Sequence, residues 1–168
     1  MRHEQSNVMP PKSIVELDGI FARITLTDPE SVTQEQDAEG QTVYNFDRYV
    51  INRPSRATLA SDVAENFEAW LEIAKAEDAE KTAAELRAVR NRLLQESDCE
   101  LSLDRLGLTA PEGSTFASWL SFLRRIGDIL SGKWARYRQD LRDLPAHPNW
   151  PYLQETDWPE KPTDASDD

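Results

Sequence analysis

The sequence predicts an α+β protein: a small N-terminal antiparallel sheet, one long helix, a second aromatic-lined helical region and an extended Pro/Trp C-terminal segment. Three observations favour this fold class. In the first third of the chain, two runs of residues alternate in the way of half-buried strands. After Pro54 the apolar residues recur every three or four positions, which is helical spacing. Near the C-terminus, prolines and tryptophans interrupt that spacing and favour an extended chain.

The N-terminal part is predicted to be a lead-in followed by the sheet. Residues 1–13 hold two adjacent prolines among mostly polar residues, which is typical of a flexible lead-in. Residues 14–56 form the predicted sheet, whose two main strands cover residues 20–26 and 42–51. These strands are expected to pair antiparallel across a polar loop.

A short third strand is predicted at residues 14–17, because the Asp18-Gly19 pair that follows it is a turn signal. Two or three strands are only marginally stable alone. The sheet is therefore expected to need cover from a helix or from another chain.

The long helix is predicted within residues 57–100, from about residue 57 to residue 96. Its middle, residues 75–85, carries alanines and charges and almost no large apolar side chain, so this part is expected to stand in solvent. Such a run either bridges two packed ends or breaks into two helices, and bridging is favoured. The apolar positions at its two ends are Leu59, Val63, Phe67, Trp70, Leu71 and Ala74, then Leu86, Val89, Leu93 and Leu94.

The second helical region is predicted within residues 101–144, with a loop at 106–114. Gly132 weakens the middle of the region, so the run either splits there or bends. One broad apolar face is expected to be buried, and a core role is favoured over a groove for a partner. This face comprises Phe116, Trp119, Leu120, Leu123, Ile126, Leu130, Trp134, Tyr137 and Leu141.

Residues 145–168 complete the chain as an extended Pro/Trp segment with an acidic tail. Two interpretations of its tryptophans stand side by side. Trp150 and Trp158 either fold back onto the core of the protein itself or dock on a partner. Folding back is favoured, because free aromatic side chains would leave apolar surface exposed.

Charge and composition exclude several classes of protein. The chain has 31 acidic and 19 basic residues and a net charge of -12, which argues against nucleic acid as a partner. No apolar run approaches the roughly 20 residues that span a bilayer, and the start lacks the apolar stretch of a signal peptide, so no membrane association and an intracellular protein are expected. Cys99 is the single cysteine and is expected to be a small, partly buried residue in a reducing compartment.

Catalysis is not expected. The chain has only two histidines, His3 and His147, so it offers no histidine-based triad or metal site. Glycine-rich phosphate loops are absent, and the many acidic residues are best explained as solvated helix surface. The sequence therefore predicts no enzyme, no catalytic residue, no metal and no cofactor.

Three blocks in the second half of the chain form a recognisable pattern: an Arg/Leu block near the end of the long helix, an aromatic and Arg-rich helix, and a closing Trp-Pro. They are Arg90, Arg92, Leu93, Leu94 and Asp98; Trp134, Tyr137, Arg138, Leu141, Arg142 and Asp143; and Trp158 with Pro159. On these blocks the chain resembles the tail assembly chaperones, or tail fibre assembly proteins, of tailed bacteriophages. We interpret these signature residues as structural. The spacer at 101–133 is longer than this family has, and no role is assigned to it.

The resemblance implies a non-enzymatic chaperone that binds a phage tail or tail-fibre protein during morphogenesis in the host bacterial cytoplasm, with retention in the virion left open. Two alternatives are kept. One is a small structural virion component, such as a baseplate or fibre-attached subunit. The other is an acidic DNA mimic that inhibits a host nuclease, against which the basic residues of the second helical region argue. The sequence does not determine the client, the stoichiometry or the oligomeric state.

The strand at residues 42–51 is the predicted partner-binding element. A small sheet with an open edge can accept a strand from another protein, with main-chain hydrogen bonds giving affinity and alternate side-chain pockets giving selectivity. The candidate contact residues of this strand are Tyr44, Phe46, Arg48 and Val50.

Overall fold

The N-terminal part of the chain is a five-stranded antiparallel sheet in the computed structural model, which describes residues 1–36, 38–100, 110–112 and 115–162. The strands are β1 (Arg2–Ser6), β2 (Ser13–Asp18), β3 (Phe21–Thr27), β4 (Thr33–Gln36) and β5 (Thr42–Pro54). Four of them lie in the order β1, β5, β3, β2, and β4 also pairs with β5. The pairing predicted for the two main runs is confirmed, because β3 and β5 are antiparallel with Ile24 opposite Ile51.

The turn predicted at Asp18-Gly19 is a tight hairpin that connects β2 to β3. Asp18 at the end of β2 faces Phe21 at the start of β3, which leaves Gly19 and Ile20 as the connecting residues. Gly19 has φ +61, a left-handed conformation that glycine adopts without the steric cost of a side chain. The Asp18-Gly19 signal therefore located this hairpin correctly.

The structure differs from the sequence prediction in two polar stretches that form strands. β1 lies within the predicted flexible lead-in, and β4 lies within the predicted loop. Neither shows apolar alternation, so each is held by its partner strand β5 and not by a buried face of its own. In β1, Glu4 accepts a 2.7 Å hydrogen bond from Arg48, and His3 lies 3.0 Å from a carboxylate oxygen of Asp47. Long-range polar contacts thus order a segment that looks unstructured in isolation.

The first core lies between one face of the sheet and two helices. The helices are α1 (Leu59–Glu65) and α2 (Phe67–Glu100), so the run predicted as one helix is broken at Asn66. The backbone of Asn66 leaves helical geometry, and its side-chain amide donates to the Asp62 carboxylate at 2.9 Å. This local side-chain bonding is how Asn competes with helix continuation. The core residues are Ala22, Ile24, Leu26, Tyr49, Ile51, Leu59, Val63, Phe67, Leu71 and Ala74.

Ion pairs hold the start of the polar middle of α2 against other residues of the N-terminal unit, Met1–Lys81. Lys75 lies 2.9 Å from a carboxylate oxygen of Asp28, a residue that is nearly buried. Glu77 accepts two hydrogen bonds from Arg53, one of them at 3.2 Å. The start of the segment predicted to stand in solvent therefore contacts the rest of this unit. This part of the prediction was wrong, because the contacts are made by charged side chains, which an apolar pattern does not reveal.

Alkaline pH is expected to destabilise the N-terminal unit. Burial, together with nearby Asp28, raises the pKa of Tyr49 above its ordinary 10.0, and a hydrogen bond to Asp28 raises the pKa of Lys75 above 10.5. Both groups hold their proton more tightly when folded, so their stabilisation is complete below about pH 10 and is lost as the pH rises through the folded-state values. Urea unfolding measured between about pH 9 and pH 11 should show a falling free energy of unfolding. Tyr49→Phe should show a shallower fall, and equal slopes would contradict the assignment.

The chain divides into two compact units, Met1–Lys81 and Thr82–Asp168, and the division falls within α2. The second unit contains α3 (Phe116–Ser131) and α4 (Lys133–Asp143). Gly132 separates these helices in an extended conformation, so of the two predicted outcomes the run splits.

The C-terminal segment after α4 is less extended than predicted. Leu144–Ala146 and Glu155–Asp157 form short 3-10 turns, since local hydrogen bonds replace an extended path. Most of the predicted loop at 106–114 and the acidic tail after residue 162 lie outside the described residues.

Candidate functional site

The predicted partner-binding residues Tyr44, Phe46, Arg48 and Val50 all lie on β5, which is an interior strand. Along residues 44–48 β5 pairs with β1, and its other side is occupied first by β4 and then by β3. A strand from another protein could pair there only by displacing β1. The open edge expected at this strand is therefore covered along residues 44–48, by a polar strand that periodicity does not reveal.

The four residues differ in accessibility. Phe46 is only 1% exposed, and the Arg48 guanidinium lies 4.8 Å from the centre of its ring. Val50 is 40% exposed, and Tyr44 is half-buried. The structure thus places Phe46 inside the protein. A partner contact at this strand stays a prediction.

A second cluster of large side chains lies in the C-terminal unit, and we call it the C-terminal aromatic cluster. Its buried centre is Tyr137, Leu141 and Leu144, which recur at helical spacing along α4 and into the turn after it. Trp134 and Tyr137 meet edge to face with ring centroids 5.9 Å apart, a favoured geometry for aromatic pairs. The partly buried members around this centre are Leu93, Leu94, Trp134, Trp150, Leu153 and Trp158.

Charged side chains surround the C-terminal aromatic cluster. Arg138 forms an ion pair with Asp98, the guanidinium of Arg87 lies 5.9 Å from the Trp150 ring centre, and the ammonium of Lys161 lies 6.0 Å from that of Trp134. Contacts of this kind between cations and aromatic faces are attractive. They connect the end of α2, α4 and the Pro/Trp segment within one unit.

The turn that precedes Trp158 is fixed by Asp157. Its carboxylate accepts hydrogen bonds from the side chain of Asn149 at 3.0 Å and from the backbone N–H of Gln154 at 2.8 Å. These two hydrogen bonds, and the nearby His147, lower the pKa of Asp157. The carboxylate therefore stays charged and keeps the turn closed at neutral pH.

Most signature residues take part in this packing. Leu93, Leu94, Trp134, Tyr137, Leu141 and Trp158 belong to the C-terminal aromatic cluster, and Asp98 and Arg138 pair beside it. The remaining ones lie at its surface: Arg90 bonds Asn91, Arg92 lies 3.7 Å from Glu96, Asp143 accepts from Gln139, Arg142 is exposed and Pro159 is half-buried. Trp150 and Trp158 pack against residues of their own chain, as in the favoured interpretation.

The N-terminal part of α3 carries an exposed row of large apolar side chains, which we call the α3 stripe. Its members are Phe116, Trp119, Leu120 and Leu123, which are 81%, 42%, 37% and 57% exposed. The sequence predicted one buried face running from α3 into α4, and for these four residues the prediction was wrong. Periodicity identifies which face of a helix is apolar but carries no signal for what covers it.

One comparison with known proteins covers both the C-terminal aromatic cluster and the α3 stripe. A family model described as phage tail assembly chaperone protein matches residues 83–163. Residues 83–163 are thus similar to that family. The resemblance noted in the sequence is therefore confirmed, and the matched segment contains both the C-terminal aromatic cluster and the α3 stripe. Searches of curated proteins and of solved structures give no significant match.

The described part of the chain also bears on the sequence expectations for metal ligands, Cys99 and membrane spans. Among residues 1–36, 38–100, 110–112 and 115–162, no group of three or more His, Cys, Asp and Glu side chains could hold a metal ion. Cys99 is exposed, one residue before the end of α2, which corrects the partly buried position expected for it. No helix in the described part of the chain is long and apolar enough to cross a membrane.

Proposed function

We propose that this protein assists phage tail or tail-fibre assembly by binding a tail protein in the host bacterial cytoplasm, without catalysing a reaction. The single observation that supports the proposal most strongly is the match of residues 83–163 to the tail assembly chaperone family. The apolar signature residues Leu93, Leu94, Trp134, Tyr137, Leu141 and Trp158 pack into a core of the unit they belong to. Such a unit can present a stable surface to another protein.

The charge distribution favours protein binding over mimicry of DNA. α3 and α4 together carry six basic and three acidic residues, in a chain of net charge -12. A DNA mimic needs a continuous acidic face, and this pair of helices interrupts it. The remaining alternative is a structural virion component, which would be present in the mature particle in the amounts of a subunit, whereas a transient chaperone would not.

Deletion of the gene, together with analysis of purified particles, tests the chaperone role against the structural-component role. Cells that produce phage without this gene are expected to yield fewer tailed particles and to accumulate an insoluble tail or tail-fibre protein, and a plasmid copy should restore both. Purified complete particles should contain the protein well below the amount of structural subunits, measured by quantitative mass spectrometry. Unchanged particle yield and tail-protein solubility would refute the chaperone role, whereas subunit-like amounts in particles would identify a virion component.

A further inference from the structure

The α3 stripe is the feature of the family segment that the packing of this chain leaves unexplained. Phe116, Trp119, Leu120 and Leu123 stand at i, i+3, i+4 and i+7, so they share one side of the helix. Single exposed apolar residues are ordinary on protein surfaces, but a contiguous row of four large ones marks an interaction surface. At 100° per residue, Ser121 and Arg125 lie on the opposite side, which gives the helix a clear polar face.

The geometry of the stripe fits another helix. Two helices pack when apolar residues at this spacing interdigitate, and an amphipathic segment presents matching residues at i, i+3, i+4 and i+7. Gly127 continues the row one turn beyond Leu123, and apart from its chain neighbours and the nearby backbone of α3, a methyl group built there would meet no atom within 4 Å. A partner backbone can approach closely at such a position.

Charge around the stripe indicates the chemistry of the partner. Arg124 directly follows Leu123 in sequence, is exposed, and borders the stripe on one side of α3. Complementary charge at the rim of an interface steers association and selects partners. A basic rim therefore favours an acidic partner segment.

The same charges argue against a second copy of this chain as the occupant. Two α3 helices facing each other would bring the Arg124 side chains of the two chains to the rim of the same interface. Like charges there are repulsive.

We propose that the α3 stripe docks an amphipathic helix of a phage tail protein, one whose apolar row is bordered by Asp and Glu side chains. This proposal rests on the proposed function, because it assigns the tail-protein contact to one helix face. The docked helix would bury Phe116 and Leu123 and place a carboxylate against Arg124.

The test compares Leu123→Glu with Ser121→Glu in the full chain, each co-expressed with the phage tail proteins. Both positions are exposed, so circular dichroism should show both variants folded. Leu123→Glu is expected to reduce the copurified tail protein about tenfold, because it places a carboxylate in an apolar contact beside an acidic partner. Ser121→Glu adds the same charge on the opposite side and should retain the tail protein.

A photo-crosslinking residue at position 123, with position 121 as the control, identifies the occupant. A crosslink from position 123 to an acidic amphipathic helix of a tail protein, mapped by mass spectrometry, is the expected result. A crosslink to a second copy of this chain would overturn the proposal, and so would full retention of the tail protein by Leu123→Glu. If the unaltered chain copurifies no tail protein at all, the proposed function itself fails, which separates the two outcomes.

Discussion

Replacing Leu141 with alanine is expected to lower the free energy of unfolding of the C-terminal unit by about 3 kcal/mol. Leu141 is fully buried, between Tyr137 and Leu144 on one side of α4, within the C-terminal aromatic cluster. Removing its branched side chain loses the transfer free energy of the buried methyl groups and leaves a cavity that the surrounding rings fill only in part. The cost is large because stiff aromatic neighbours relax poorly.

Urea unfolding followed by tryptophan fluorescence measures this effect, since Trp134, Trp150 and Trp158 report on the cluster. The matched control is Arg142→Ala, the next residue on α4, which is exposed and should change the free energy of unfolding by less than about 0.5 kcal/mol. Equal effects of the two variants would show that the cluster is not the core of this unit.

The family and the fold class were accessible from sequence because both depend on large side chains at fixed spacing. Trp134, Tyr137, Arg138 and Leu141 are few, bulky and specific in their order, and the packing that selects them is local to α4 and its neighbours. The alternation in β3, and in β5 at Tyr49 and Ile51, likewise follows from one buried sheet face. Patterns that arise from burial can be recognised before the structure is known.

The two polar strands and the true extent of the buried face could not be predicted in the same way. β1 and β4 are ordered by main-chain pairing to β5 and by contacts such as that between Arg48 and Glu4, across more than 40 residues of sequence. The α3 stripe has the same helical phase as Leu141 in α4, yet Phe116 is exposed and Leu141 is buried. Whether an apolar face is covered depends on tertiary neighbours, which local periodicity does not encode.

Phe46 distinguishes most sharply between the sequence hypothesis and the structure, because each predicts a different defect for Phe46→Ala. If Phe46 were a partner contact at an open strand, the variant would fold normally and lose its tail protein. In the structure Phe46 is buried beneath Arg48, on the stretch of β5 that pairs with β1. The variant is therefore expected to lose about 3 to 5 kcal/mol of unfolding free energy, the cost of removing a buried Phe side chain.

The matched control is Val50→Ala, which lies on the same strand and the same side of the sheet but is substantially exposed. It should cost no more than about 1 kcal/mol. Urea unfolding followed by circular dichroism measures both variants, and copurification of the tail protein should be carried out at a temperature at which each remains folded. A folded Phe46→Ala that binds as well as the unaltered chain would place the partner contact away from this part of β5. A variant of undiminished stability that no longer binds would restore the strand as the partner-binding element, because an interior Phe cannot be removed without loss of stability.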